Sequence, residues 1–102
     1  MEFGMKELHL TILFSNRYKS VLEQALIAYR DWSDSGDSKD KSVACLAFEC
    51  FSEARGIRDT ACYLDIPLLN EYLREISEDL HKEYGVENNE IKIFRGLINF
   101  LS

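Results

Sequence analysis

From Tyr18 onward, apolar side chains recur at Val21, Leu22, Ala25, Leu26, Tyr29 and Trp32, while Lys19, Glu23, Gln24, Arg30 and Asp31 fall between them. At about 100° per residue the apolar set gathers on one arc, as in an amphipathic helix with one face against a core. Such a stripe needs other elements to cover it, and the rest of the chain is best read by asking which segments can do so.

Upstream, Leu8, Leu10, Ile12 and Phe14 alternate as a strand would, but Leu10 and Phe14 also continue the stripe. The spacing favours a helix over residues 5–14, with a break at Ser15-Asn16. Downstream lies an acidic linker over 33–42, with Ser42 expected to cap a helix over 43–55. In that segment Val43, Leu46, Phe48, Phe51, the cysteines and the alanines cover nearly the whole circumference, leaving Glu49, Ser52 and Glu53 as a narrow polar strip. The pattern predicts a central helix packed on most sides and ended by Gly56, followed by a short helical turn over 58–64.

Pro67 marks the next start, because its missing donor costs nothing in a first turn. The helix it opens is expected to turn Leu68, Leu69, Tyr72, Leu73, Ile76, Leu80 and Tyr84 inward and to stop at Gly85. Asn88 or Asn89 then caps a last helix, whose Ile91, Ile93, Phe94, Leu97, Ile98, Phe100 and Leu101 occupy half the circle, away from Lys92, Arg95 and Asn99. One proline and five glycines leave few forced breaks. The expectation is an all-α fold, one domain over residues 1–102, built as a compact bundle of four to six helices around the 43–55 helix. The opening Met1-Glu2-Phe3-Gly4, followed by Met5, raises the question of an added leader of vector origin.

The formal net charge is −6, and it is unevenly placed. Residues 1–33 balance, whereas 34–65 and 66–102 each carry seven acids against four bases. That field repels nucleic acid and anionic membrane and favours encounter with a basic protein. Three cysteines, Cys45, Cys50 and Cys62, form neither an even set nor a Cys-x-x-Cys pair. They read as small apolar core residues of a reducing compartment, and the chain is expected to be cytoplasmic. The apolar run 8–14 is interrupted by His9 and Thr11 and is too short to cross a bilayer.

Two patterns invite a metal reading. Asp31, Asp34, Asp37 and Asp40 repeat every third residue, and a loop begun at Asp31 puts Gly36 where a helix–loop–helix calcium site needs glycine. Ser33, Ser35, Lys39 and Ser42 then occupy ligand positions, so the stretch reads as a flexible acidic connection instead. Glu78-x-x-His81 has the spacing of di-iron bundles, but those need a second copy, and one instance in a glutamate-rich chain reads as chance. No phosphate-binding glycine loop, nucleophile elbow or zinc-protease motif occurs. The expectation is a non-enzymatic protein with no cofactor, metal or catalytic residue.

What remains is a surface. Glu71, Glu75, Glu78 and Asp79 form a contiguous acidic stripe on the 67–84 helix, extended by Asp34 and Asp37 of the linker, with Trp32 and Tyr84 near helix ends as aromatic anchors. These eight residues are the expected partner-binding set. The function expected is an acidic protein-binding domain, foremost an inhibitor of immunity type that neutralises a basic partner such as a nuclease toxin. The alternative is a helical adaptor, chaperone or structural homodimer, the last formed through the 91–101 helix. A mimic of nucleic-acid charge and an enzyme with a cryptic site are weaker alternatives.

Overall fold

In the computed structural model, residues 2–36 and 40–101 are described, with side chains over 6–36 and 40–100. Four helices follow one another: α1 (Glu2–Asp34), α2 (Lys41–Leu64), α3 (Pro67–Tyr84) and α4 (Asn88–Leu101), with no strand among the described residues. The all-helical class and the helix count are as expected.

The helices are longer than the sequence punctuation implies. α1 passes through Ser15-Asn16 without a break and, at 33 residues, runs about 50 Å. Phe14 and Tyr18 pack on the core on either side of that dipeptide, and Arg17 pairs with Glu53 of α2. Tertiary contacts thus hold a segment that propensity alone leaves marginal. Ser15 Oγ is buried without a hydrogen-bond partner among the described residues.

Gly56 does not stop α2 either. Ile57 packs against the core and Ala61 is fully buried beyond it, so the helix gains more from this burial than the ~1 kcal/mol that a mid-helix glycine costs. The expected turn over 58–64 is the second half of α2. Its start also moves. The cap is Asp40, whose Oδ1 accepts from the Ser42 amide at 2.7 Å, in place of Ser42 itself.

Two signals fall where expected. Pro67 opens α3, and Gly85 closes it at φ 64° in a left-handed cap. Val86 N–H donates to the His81 carbonyl at 3.0 Å and Gly85 N–H to that of Lys82 at 3.3 Å, the paired bonds of a Schellman turn. Arg30 Nη1 donates to the Tyr84 carbonyl at 2.9 Å, tying this turn to the end of α1. The cap of α4 is Glu87, one residue ahead of Asn88. Its amide donates to Glu90 Oε2 at 2.8 Å, and its carbonyl accepts from the Glu90 and Ile91 amides.

α2 runs antiparallel to α1, and α3 runs back alongside it, so α1 packs along both while α2 and α3 touch each other little. Tyr18, Val21, Leu22, Ala25, Leu26, Ala28 and Tyr29 are the buried positions of α1 in this core. The structure gives no support to a central 43–55 helix, since Cys45 and Leu46 of α2 face outward. α4 packs against α2 and the end of α1 and is held by an aromatic cluster. Phe94 stands edge-on to Trp32 at 4.9 Å, to Tyr29 at 5.2 Å and to Phe51 at 6.2 Å.

If α1 is the spine, Leu26→Ala, at a fully buried position, lowers unfolding stability by about 2–5 kcal/mol. Leu46→Ala, at a position 54% exposed, costs less than about 1 kcal/mol. Urea midpoints at constant slope measure both, and equal losses would place the two helices on the same footing.

Candidate functional site

The expected partner-binding residues divide into two groups. Glu71, Glu75, Glu78 and Asp79 are all exposed on α3, and among the described residues only Glu78 has an ion-pair partner, Arg74 at 3.7 Å. The remaining carboxylates are therefore free to act on an approaching charge. Leu68 and Tyr72 correct the sequence reading, because both are more than two-fifths exposed and do not face the core. Helical periodicity puts them on the same side as Glu75 and Asp79, giving an apolar pair edged by carboxylates.

Asp34, Trp32 and Tyr84 do not join this face. Asp34 lies at the end of α1, where its carboxylate sits 4.0 Å from Arg30, and Asp37 lies outside the described residues. Trp32 is half-buried against Tyr29 and Phe94, so it serves chiefly as a strut for α4. Tyr84 is also half-buried. Its hydroxyl pKa is raised by desolvation and by the nearby Glu23 and Glu83.

The metal readings meet specific obstacles. Asp31 and Ser33 belong to the last turns of α1, so the backbone there is helix and cannot supply the first positions of a calcium loop. Gly36, at φ 62°, makes the turn that leaves the helix. The Glu78-x-x-His81 pair is split by other partners, Glu78 by Arg74 and His81 by the Val86 carbonyl at 2.8 Å. Only an N–H can satisfy a carbonyl, so His81 Nδ1 carries the proton and Nε2 is the atom left for other contacts.

Sequence reasoning missed a second site. Because α2 and α3 lean on α1 far more than on each other, a cleft of about 400 Å³ opens between them, with Tyr18 and Leu22 of α1 at its base. Arg55, Arg58, Asp59 and Cys62 line it from α2, and Ser77 and His81 from α3. Asn88, Ile91 and Arg95 close one end from α4. A hollow of about 370 Å³ continues past Arg55 and Arg95 to Lys92 and Asn99.

Three of the chain's twelve basic residues thus line the cleft, and a fourth, Lys92, lines the adjoining hollow. Among the described residues no carboxylate lies within salt-bridge distance of Arg55, Arg58 or Arg95, whereas Arg17, Arg30 and Arg74 each have one. Burial and then the charge of Arg55 lower the pKa of Arg95, with Asp59 opposing them. The guanidinium of Arg95 also sits 6.0 Å from the Phe48 ring centre. The sequence signal was the two Arg/Lys-x-x-Arg pairs, 55/58 and 92/95. Each reads as an ordinary polar face until the helices are docked.

The cysteines differ from expectation as well. Cys50 is buried, but Cys45 and Cys62 are exposed, and Cys62 borders the cleft. Burial, then Glu53 and Glu49, raise the Cys50 thiol pKa and so deplete its thiolate.

Comparison with protein families, curated proteins and solved structures finds no match to this chain.

Titration of the native protein with an aromatic disulfide reagent at about pH 8 should show two fast thiols, Cys45 and Cys62. Cys50 should react on the order of tenfold more slowly until denaturant is added. Three equal rates would contradict the burial of Cys50.

Proposed function

We propose that this chain is a non-catalytic helical domain that binds a basic protein through the exposed face of α3. The observation that carries the reading is Leu68 and Tyr72 set among Glu71, Glu75 and Asp79 on one side of a rigid helix. Exposed carboxylates steer a cationic partner and fix its orientation, while a half-exposed tyrosine beside a leucine supplies apolar area on contact. Within this class, inhibition of immunity type is the favoured role, because a row of carboxylates can cover the cations that a nuclease places against phosphate. Asp34 lies on α1, not on the α3 face, and would act by adding to the field.

The test uses a partner captured from the native host and its affinity for the purified chain. Joint reversal of Glu71, Glu75 and Asp79 to lysine should weaken binding tenfold or more at about 50 mM salt. Wild-type affinity should fall as salt rises to about 300 mM. Unchanged affinity in the triple variant would remove α3 from the interface, and affinity insensitive to salt would remove the electrostatic argument.

A second reading, self-association through α4, is favoured by a separate observation. Ile91, Phe94 and Ile98 turn toward the bundle, but Ile93, Leu97 and Phe100 remain outside, with Ile93 66% and Phe100 86% exposed. Their spacing of four and three residues makes a second apolar stripe on the same helix. Light scattering should then report twice the chain mass of 11.8 kDa, reverting to 11.8 kDa for Phe100→Glu. A monomer at about 100 μM wild-type chain would rule out a stable dimer on this face.

A further inference from the structure

We propose that the cleft between α2 and α3, closed at one end by α4, binds a small organic phosphate, with Arg55, Arg58 and Arg95 as the anion-holding residues. This site is separate from the acidic face of α3 and does not depend on it.

The charge arrangement is the first argument. In a chain of net charge −6, three arginines line one cleft with no carboxylate within salt-bridge distance among the described residues, so their mutual repulsion is not offset by a direct ion pair. Arg95 feels both repulsion and desolvation, since its own burial and the charge of Arg55 each favour loss of its proton. An entering anion would relieve them. Arg55 and Arg58 come from one turn of α2 and Arg95 from α4, so two helices contribute arginines to the lining of one cleft. Planar five-donor groups of this kind suit phosphate oxygens better than a single point charge does.

The number of charges narrows the ligand. Three arginines against one nearby acid, Asp59, leave a net charge of about +2 at the cleft, with Lys92 further out in the adjoining hollow. This matches a phosphomonoester dianion better than a monocarboxylate. Asn88, the first residue of α4, lines both hollows, but the start of that helix already carries the Glu90 carboxylate and adds nothing to this count.

The base narrows it further. Tyr18, Leu22, Phe51, Ala54 and Ile91 present apolar surface below the arginines. A volume of about 400 Å³ accommodates a ring-sized body but not a folded partner. His81 is fixed by its bond to Val86 and can meet the ligand only through Nε2. The ligand class is therefore a compact phosphomonoester with an apolar or planar body.

Phenyl phosphate is the probe, titrated calorimetrically into the full chain at about 50 mM salt. Binding should be at least about fivefold tighter than that of inorganic phosphate, because only the ester can use the apolar base. Arg58→Gln and Arg95→Gln should each weaken it tenfold or more. Lys19→Gln, an exposed cation on α1 outside the cleft lining, should leave it unchanged.

Arg58 is exposed, so its variant remains informative if Arg95→Gln folds poorly. In a Cys45→Ala, Cys50→Ala background, saturating phenyl phosphate should also slow thiol labelling of Cys62. Equal affinity for the ester and inorganic phosphate, equal weakening by Lys19→Gln, or unprotected Cys62 at saturation would each overturn the assignment. So would the absence of binding up to about 10 mM probe, a ligand weaker than which cannot be called specific.

Discussion

Everything in this molecule depends on burial of one stripe of α1. Seven apolar residues between Tyr18 and Tyr29 are almost wholly withdrawn from water, and α2 and α3 each find their main partner in that stripe. Two helices that share a spine do not need to close on each other. The apolar surface of α1 thus explains both the cohesion of the bundle and the gap between its flanking helices.

The short α4 is placed differently. It has little surface against the other helices and is fastened by aromatic edges, chiefly Phe94 between Trp32, Tyr29 and Phe51. One cluster at the end of α1 therefore sets where Arg95 and Asn88 stand relative to Arg55 and Arg58. Trp32, expected to be a surface anchor, is taken up in this cluster, while Tyr84 is half-buried and its backbone carbonyl accepts from Arg30. The molecule separates charge as a result. Carboxylates lie along the outer side of α3, while a third of the basic residues gather where α2 and α4 meet.

Several features were legible in the residues themselves. The helical stripe at 18–32, proline at the first turn of α3 and glycine at its end all act through local geometry, and all three hold in the fold. Other local signals lost to packing. Ser15-Asn16 and Gly56 are weak helix formers, but neighbours on both sides of each are buried, and burial of a few apolar side chains exceeds the propensity cost. Leu68 and Tyr72 failed in the opposite sense. They belong to the apolar arc of α3 by spacing, yet no helix among the described residues covers that side.

Sequence alone determined that the chain is helical, that it carries an acid excess, and that α3 presents a carboxylate stripe, because these follow from period and composition. Only the tertiary structure decided which helix forms the spine and which cysteine is buried. It also brought arginines 37 to 40 positions apart in the chain to one opening. Period fixes which residues share a face of one helix, but not which faces of different helices meet. That is settled by packing among all four, and the cationic cleft exists only at that level.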